Sequence, residues 1–108
     1  MPKTLFPTIL QSGRVWPTQF LSLRVWRDPT RSAPTSFAVI TGSKVSGKAV
    51  ERNLWKRRAH AILTELSPQL RDNHYCLLFF KKGITTLSFR QLSQTIRQVF
   101  LQANLLIN

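Results

Sequence analysis

The chain has 108 residues, room for one domain, and 43% of them are hydrophobic, enough to build a core and to exclude wholesale disorder. Sixteen Lys and Arg stand against four acids (Asp28, Glu51, Glu65 and Asp72), for a net charge of +12. That imbalance points to nucleic acid, because every phosphate contact releases condensed counterions. A membrane surface would call for an amphipathic anchor or an apolar run of about 18 residues, and the sequence shows neither.

In chain order, Phe6, Ile9 and Leu10 mark one apolar face of a short helix over Phe6–Ser12, with Pro7 tolerated in its first turn and Gly13 placed to end it. Thr18–Trp26 alternates Leu21, Leu23 and Val25 against Ser22 and Arg24, the period of a strand. Arg27–Ser36 holds two prolines with Ser, Thr and Asp and reads as a loop. Phe37–Thr41 is a short buried strand stopped by Gly42. A long helix is expected from about Gly47 to Leu66, ended by Ser67-Pro68. Tyr75–Phe80 reads as a second buried strand, closed by Lys81-Lys82-Gly83. Ser88 with Gln91 three residues on resembles a capping box, after which Leu92, Ile96, Val99, Phe100 and Ala103 recur at helical spacing. The expected fold class is therefore α/β: a small mixed sheet with helices packed against it, in the order helix, strand, strand, helix, strand, helix. One nucleic-acid-binding domain over residues 1–108 is expected. The lone Cys76 permits no internal disulfide, and Met1–Pro7 lacks the apolar stretch of a secretory signal, so the expected setting is reducing and cytoplasmic.

The long helix carries the chemistry. At about 100° per residue, Arg52, Lys56 and His60 stack four apart, with Asn53 and Arg57 beside them. No carboxylate is interleaved on that face, whereas a merely solvated face mixes signs. Arg offers forked donors to phosphate oxygens and Asn53 can reach sugar or base edges. Val50, Leu54, Trp55, Ile62 and Leu66 gather on the other half, available for packing. Glu51 and Arg58 fall on that half too, seven apart, as a candidate rim pair.

Gly47-Lys48-Ala49-Val50-Glu51-Arg52-Asn53-Leu54-Trp55-Lys56-Arg57-Arg58 resembles the signature helix of the bacterial ribonuclease P protein family, roughly K-x-x-x-K-A-V-x-R-N-R-x-K-R. Phe6–Gly13 is similar to that family's first helix, F-x-x-V-F/L-x-x-G. Two positions depart from the pattern: Leu54 and His60 stand where Arg is usual. The resemblance implies an α/β sandwich with a left-handed βαβ crossover, and a protein that assists an RNA enzyme in removing the 5′ leader of precursor tRNA. Its partners would be ribonuclease P RNA and precursor tRNA, with no membrane and no obligate protein partner. It also implies no cofactor bound by protein side chains, with Mg²⁺ needed by the partner RNA, and no catalytic residue or metal ligand in the protein. RNA contacts carry over to Lys44, Lys48, Arg52, Asn53, Lys56 and Arg57, with His60 on the same face. A cleft for the leader carries over to Phe6 and Leu10, joined by Phe20 and Leu23 on the first strand. Leu54 leaves two placements open: turned into the core, or facing RNA without the charge that Arg would bring there.

Other classes fit less well. Gly42–Ala49 has the spacing of a phosphate-binding loop, but Ala49 replaces the hydroxyl that would hold Mg²⁺. A nuclease would gather carboxylates or pair titratable groups, and here the four acids, His60 and His74 are dispersed. A structural RNA-binding protein, such as a ribosomal one, is the alternative that charge and size allow.

Overall fold

The computed structural model describes residues 3–107. Its elements run α1 (Phe6–Ser12), β1 (Arg14–Pro17), β2 (Leu21–Arg27), β3 (Ser36–Ile40), α2 (Ala49–Leu66), β4 (His74–Phe80) and α3 (Phe89–Gln102). The apolar run Tyr75–Phe80 has no polar alternation, which suits a strand covered on both faces. β4 is that strand. It pairs antiparallel with β2, placing Leu23 opposite Leu78 and Val25 opposite Cys76, and parallel with β3, placing Val39 opposite Leu78. The sheet order is β1-β2-β4-β3.

Strand periodicity then divides the side chains. Leu21, Leu23, Val39, Cys76, Leu78 and Phe80 face α2 and α3 and make the main core with Trp55, Ile62, Leu63, Leu92, Ile96 and Phe100. Tyr75 and Leu77 face the other way and close over Ile9 of α1, with Phe6, Trp26, Ala38, Ile40 and Phe79 around them. The helices are thus split, two on one face and one short helix on the other. No helix among the described residues is long and apolar enough to cross a membrane.

The parallel β3–α2–β4 unit is the expected crossover, but α2 packs through a narrower stripe than its sequence suggests. Trp55, Ala59, Ile62, Leu63 and Leu66 are buried. Val50, expected in the packing half, is 83% exposed, and Leu54 is 36% exposed. At helical spacing Val50 and Leu54 point away from the stripe through Trp55, Ala59 and Ile62, so neither reaches the sheet. Arg58 lays its guanidinium over the Trp55 ring, 5.0 Å from its centroid, instead of pairing with Glu51.

β1 was not expected. Four residues ending in Pro17 carry little strand signal, and proline is admitted because β1 is an edge. Gly13 makes the sharp passage from α1 into β1 possible. Its N–H donates to the Ile9 carbonyl at 2.9 Å, and a Cβ there would lie 2.5 Å from that oxygen and 3.1 Å from the Val25 carbonyl oxygen. The remaining ends behave as their residues dictate. The Ser88–Gln91 capping box forms with both hydrogen bonds present. α3 closes with Asn104 at φ 59, while the Asn104 and Leu105 N–H groups donate to the Leu101 and Phe100 carbonyls, a Schellman end.

Gly13→Ala is expected to destabilise the protein by about 2–3 kcal/mol through this backbone clash, since the carbonyls it meets cannot swing aside. Gly42→Ala, where nothing lies within 4 Å of an added Cβ, should be neutral or slightly stabilising. Urea denaturation of the two variants side by side checks the pair, and equal losses would show that the close approach at Gly13 is not the cause.

Candidate RNA-binding interface

The loop between β3 and α2 folds on itself: the Gly42 carbonyl accepts N–H bonds from Val45 at 3.0 Å and Ser46 at 3.5 Å. The Lys48 N–H donates to the Ser46 hydroxyl at 3.2 Å, and an Arg52 guanidinium N–H donates to the Ser46 carbonyl at 2.7 Å. Arg52 is therefore half-buried and holds the loop against α2, leaving its other donors outward. Lys56 is half-buried one turn on, while Lys44, Lys48, Asn53, Arg57 and His60 are exposed. All seven expected residues lie on this loop and the adjoining side of α2. Lys48 is the helix N-cap and supplies no side-chain cap, so the first amide groups of α2 lie bare among cations, which favours an anion. Glu51 and Glu65 belong to the other flank of the helix. Leu54 is exposed, which excludes the core placement left open by its sequence position.

Tertiary structure adds two lysines that helical spacing does not reveal. Because β3 and β4 are parallel, the loops leaving their C-terminal ends meet. Lys81 and Lys82 thus join Lys44, Val45 and Phe80 around a depression of about 580 Å³. Lys81 donates from Nζ to the Thr18 carbonyl at 2.7 Å and ties β2 to this end, whereas Lys82 is exposed. The signal for Lys82 is parallel pairing, which is visible only once the sheet is formed.

The expected cleft residues separate. On α1, Phe6 is half-buried against the Ile9–Tyr75–Leu77 cluster and Leu10 is 45% exposed. Leu23, by contrast, is fully buried on the α2–α3 face, and Phe20 packs with that same core and against Gly83. Neither lines the α1 side, which corrects the expectation. The alternation along β2 that buries Leu21 and Leu23 turns Ser22, Arg24 and Trp26 towards α1 instead. Arg24 donates to the Leu10 carbonyl at 2.8 Å, and Trp26 stacks on Tyr75 with centroids 5.8 Å apart and planes at 26°. The Arg31 guanidinium also lies over the Tyr75 ring, 4.8 Å from its centroid, and bonds its hydroxyl. The α1 face is thus an aromatic surface edged by arginines.

Among the described residues, no group of three or more His, Cys, Asp or Glu could hold a metal ion. Cys76 lies in the core, where burial pushes its thiol well above the ordinary range and keeps it protonated.

Replacing Leu54 with Arg should change thermal stability little, because the position is on the surface. A fall in melting temperature of more than about 5 °C, roughly 1 kcal/mol in a domain of this size, would contradict that placement.

The ribonuclease P family model matches residues 2–104. The ribonuclease P protein component of Microcystis aeruginosa is 25% identical over 103 residues, covering 94% of this chain and 86% of that protein. The Synechocystis counterpart is 30% identical, covering 98% and 90%. Among solved structures, the Staphylococcus aureus RNase P protein superposes with a TM-score of 0.87 at 13% identity, covering 98% of this chain and 94% of that one. The Thermotoga maritima RNase P protein gives 0.80 at 14% identity, covering 88% and 90%. The chain belongs to the ribonuclease P protein family and is the protein component of that ribonucleoprotein endoribonuclease.

Proposed function

We propose that the protein grips the ribonuclease P RNA through the cationic side of α2 and the loop before it, and receives the 5′ leader of precursor tRNA on the α1 face of the sheet. The observation that carries this reading is the sign of the α2 surface: Lys44, Lys48, Arg52, Lys56 and Arg57 lie together without a carboxylate between them. Such a surface is stabilised by a row of phosphates and destabilised by its own repulsion without one. Lys82 extends it at the end of β4. For the leader, Phe6, Leu10 and Trp26 supply apolar and aromatic surface that stacks on unpaired bases with little sequence preference. Arg24 is placed to reach the phosphates between them.

The chemistry belongs to the RNA with its Mg²⁺. The four protein acids sit on the loop after β2, on α2 and on the loop before β4, too dispersed for general acid–base or metal-assisted cleavage. The protein supplies charge neutralisation and orientation of the substrate. A cytoplasmic setting belongs to the same reading.

Purified protein alone should leave precursor tRNA intact in Mg²⁺, and adding the cognate RNA should restore cleavage at the mature 5′ end. Cutting by RNA-free protein that survives stringent purification would overturn the division of labour.

Arg57→Ala should lower the slope of log K against log salt for the partner RNA by about one unit without loss of stability. Arg52→Ala should lower the slope similarly but also destabilise the fold by about 1 kcal/mol, since it releases the Ser46 carbonyl. Leu54→Arg should steepen the slope by about one unit as an added phosphate contact. Filter binding across a salt series with parallel thermal melts reads all three. Unchanged slopes would remove the α2 face from the interface.

A further inference from the structure

The end of the sheet remote from the β3–α2 loop carries a second basic surface, apart from the cationic side of α2. Where β1 begins, β2 ends and β4 begins, the chain leaves a groove of about 780 Å³ bounded by the C-terminal end of α3. Three arginines line it, Arg14, Arg27 and Arg71, together with Trp16 and His74. These come from three separate parts of the chain: β1, the end of β2 and the segment entering β4.

The walls are fixed. Arg71 is held twice: its backbone N–H donates to the Leu105 carbonyl at 2.8 Å, and its Nε donates to the Asn104 carbonyl at 2.9 Å. Both acceptors exist because α3 ends in its Schellman turn. Trp16 leans on the main core from the β1 edge. His74 sets its Nδ1 2.7 Å from the Asp72 carbonyl oxygen. Arg14 and Arg27 remain exposed. Asp72 is the only acid in the lining, so the groove is strongly cationic.

This chemistry selects its ligand. Guanidinium forks match phosphate oxygens, and the partly exposed Trp16 indole offers a face or edge to a base. A small inorganic anion would leave that indole unused. An apolar ligand would leave three arginines without a counter-charge. The volume suits a ligand of about two nucleotides. The sheet order places β1 at the opposite edge from β3, three strand spacings or roughly 14 Å away, so this groove is not a continuation of the α2 face.

We propose that the groove walled by Arg14, Arg27, Arg71 and Trp16 is a second binding site for unpaired RNA, separate from the α2 face and reached from the β1 edge. Either the partner RNA or its substrate can supply such a segment, since both contain unpaired nucleotides.

The test uses the full chain labelled with ¹⁵N and hexauridylate as the probe. The Trp16 indole N–H signal should move on titration, while that of Trp55, 4% exposed beneath α2, serves as the reference. Trp26 does not report on the groove, because its indole lies on the α1 face. The double variant Arg14→Ala/Arg27→Ala should lose the Trp16 shift and lower the salt slope for hexauridylate by about 1.4, two single-strand contacts at about 0.7 each. Arg57→Ala should keep the Trp16 shift.

In the assembled holoenzyme with precursor tRNA, 4-thiouridine is then placed in one RNA at a time. A photo-adduct on the Trp16 peptide in either arm supports the site and names its source. The proposal is overturned by a Trp16 signal that stays still while α2 signals move, by a double variant that behaves as the parent, or by adducts in neither arm. None of these outcomes touches the assignment of the α2 face.

Discussion

Parallel pairing of β3 with β4 is the constraint on which the rest of this protein depends. A parallel pair cannot be closed by a tight turn, so the connection must cross over, and α2 is that connection. The same pairing brings the loops after β3 and β4 together, which sets Lys44 beside Lys82. It also commits β4 to the interior, with a strand on each side and helices over both faces. A strand so placed has no solvent side, and its sequence from Tyr75 to Phe80 is apolar without a break. The basic surface and the core are therefore consequences of one topological choice.

The two faces of the sheet are covered unequally, and function follows the inequality. α2 and α3 seal one face, where Leu23, Leu78, Ile96 and Phe100 are at or near zero exposure. α1, only seven residues long, covers the other face around Ile9 and leaves Leu10, Trp26, Ile40 and Phe79 partly open. An aromatic surface half in water is a poor core and a serviceable platform for bases. The short helix is held in place by Gly13 and by Arg24, which gives one donor to the Leu10 carbonyl and keeps others free.

Arginine is used here in several ways, and the distinction matters for how a charge of +12 is tolerated. Arg58 lies over Trp55, and Arg31 over Tyr75, where the aromatic ring accommodates part of the charge. Arg52 and Arg71 each satisfy a backbone carbonyl that would otherwise be left at a loop or helix end. Arg14, Arg27 and Arg57 are exposed. Repulsion among such exposed cations is relieved by bound phosphate, so association with RNA and stability of the folded chain are coupled.

Elements whose signals are local are readable from the sequence alone. The α1 bounds at Phe6 and Ser12, the Ser88 capping box and the apolar run of β4 were legible because a cap, a breaker or an unbroken hydrophobic stretch acts within a few residues. The cationic side of α2 was legible for the same reason, since helical spacing follows from the backbone alone. Packing of the folded chain sets what depends on which surfaces meet. It made a strand of Arg14–Pro17, turned Leu23 into the core and Arg24 towards α1, and brought Lys82 to Lys44. The physical reason is that strand pairing and burial are non-local. A β residue shows its period in sequence, but the partner strand and the covering helix decide which half of that period is inside.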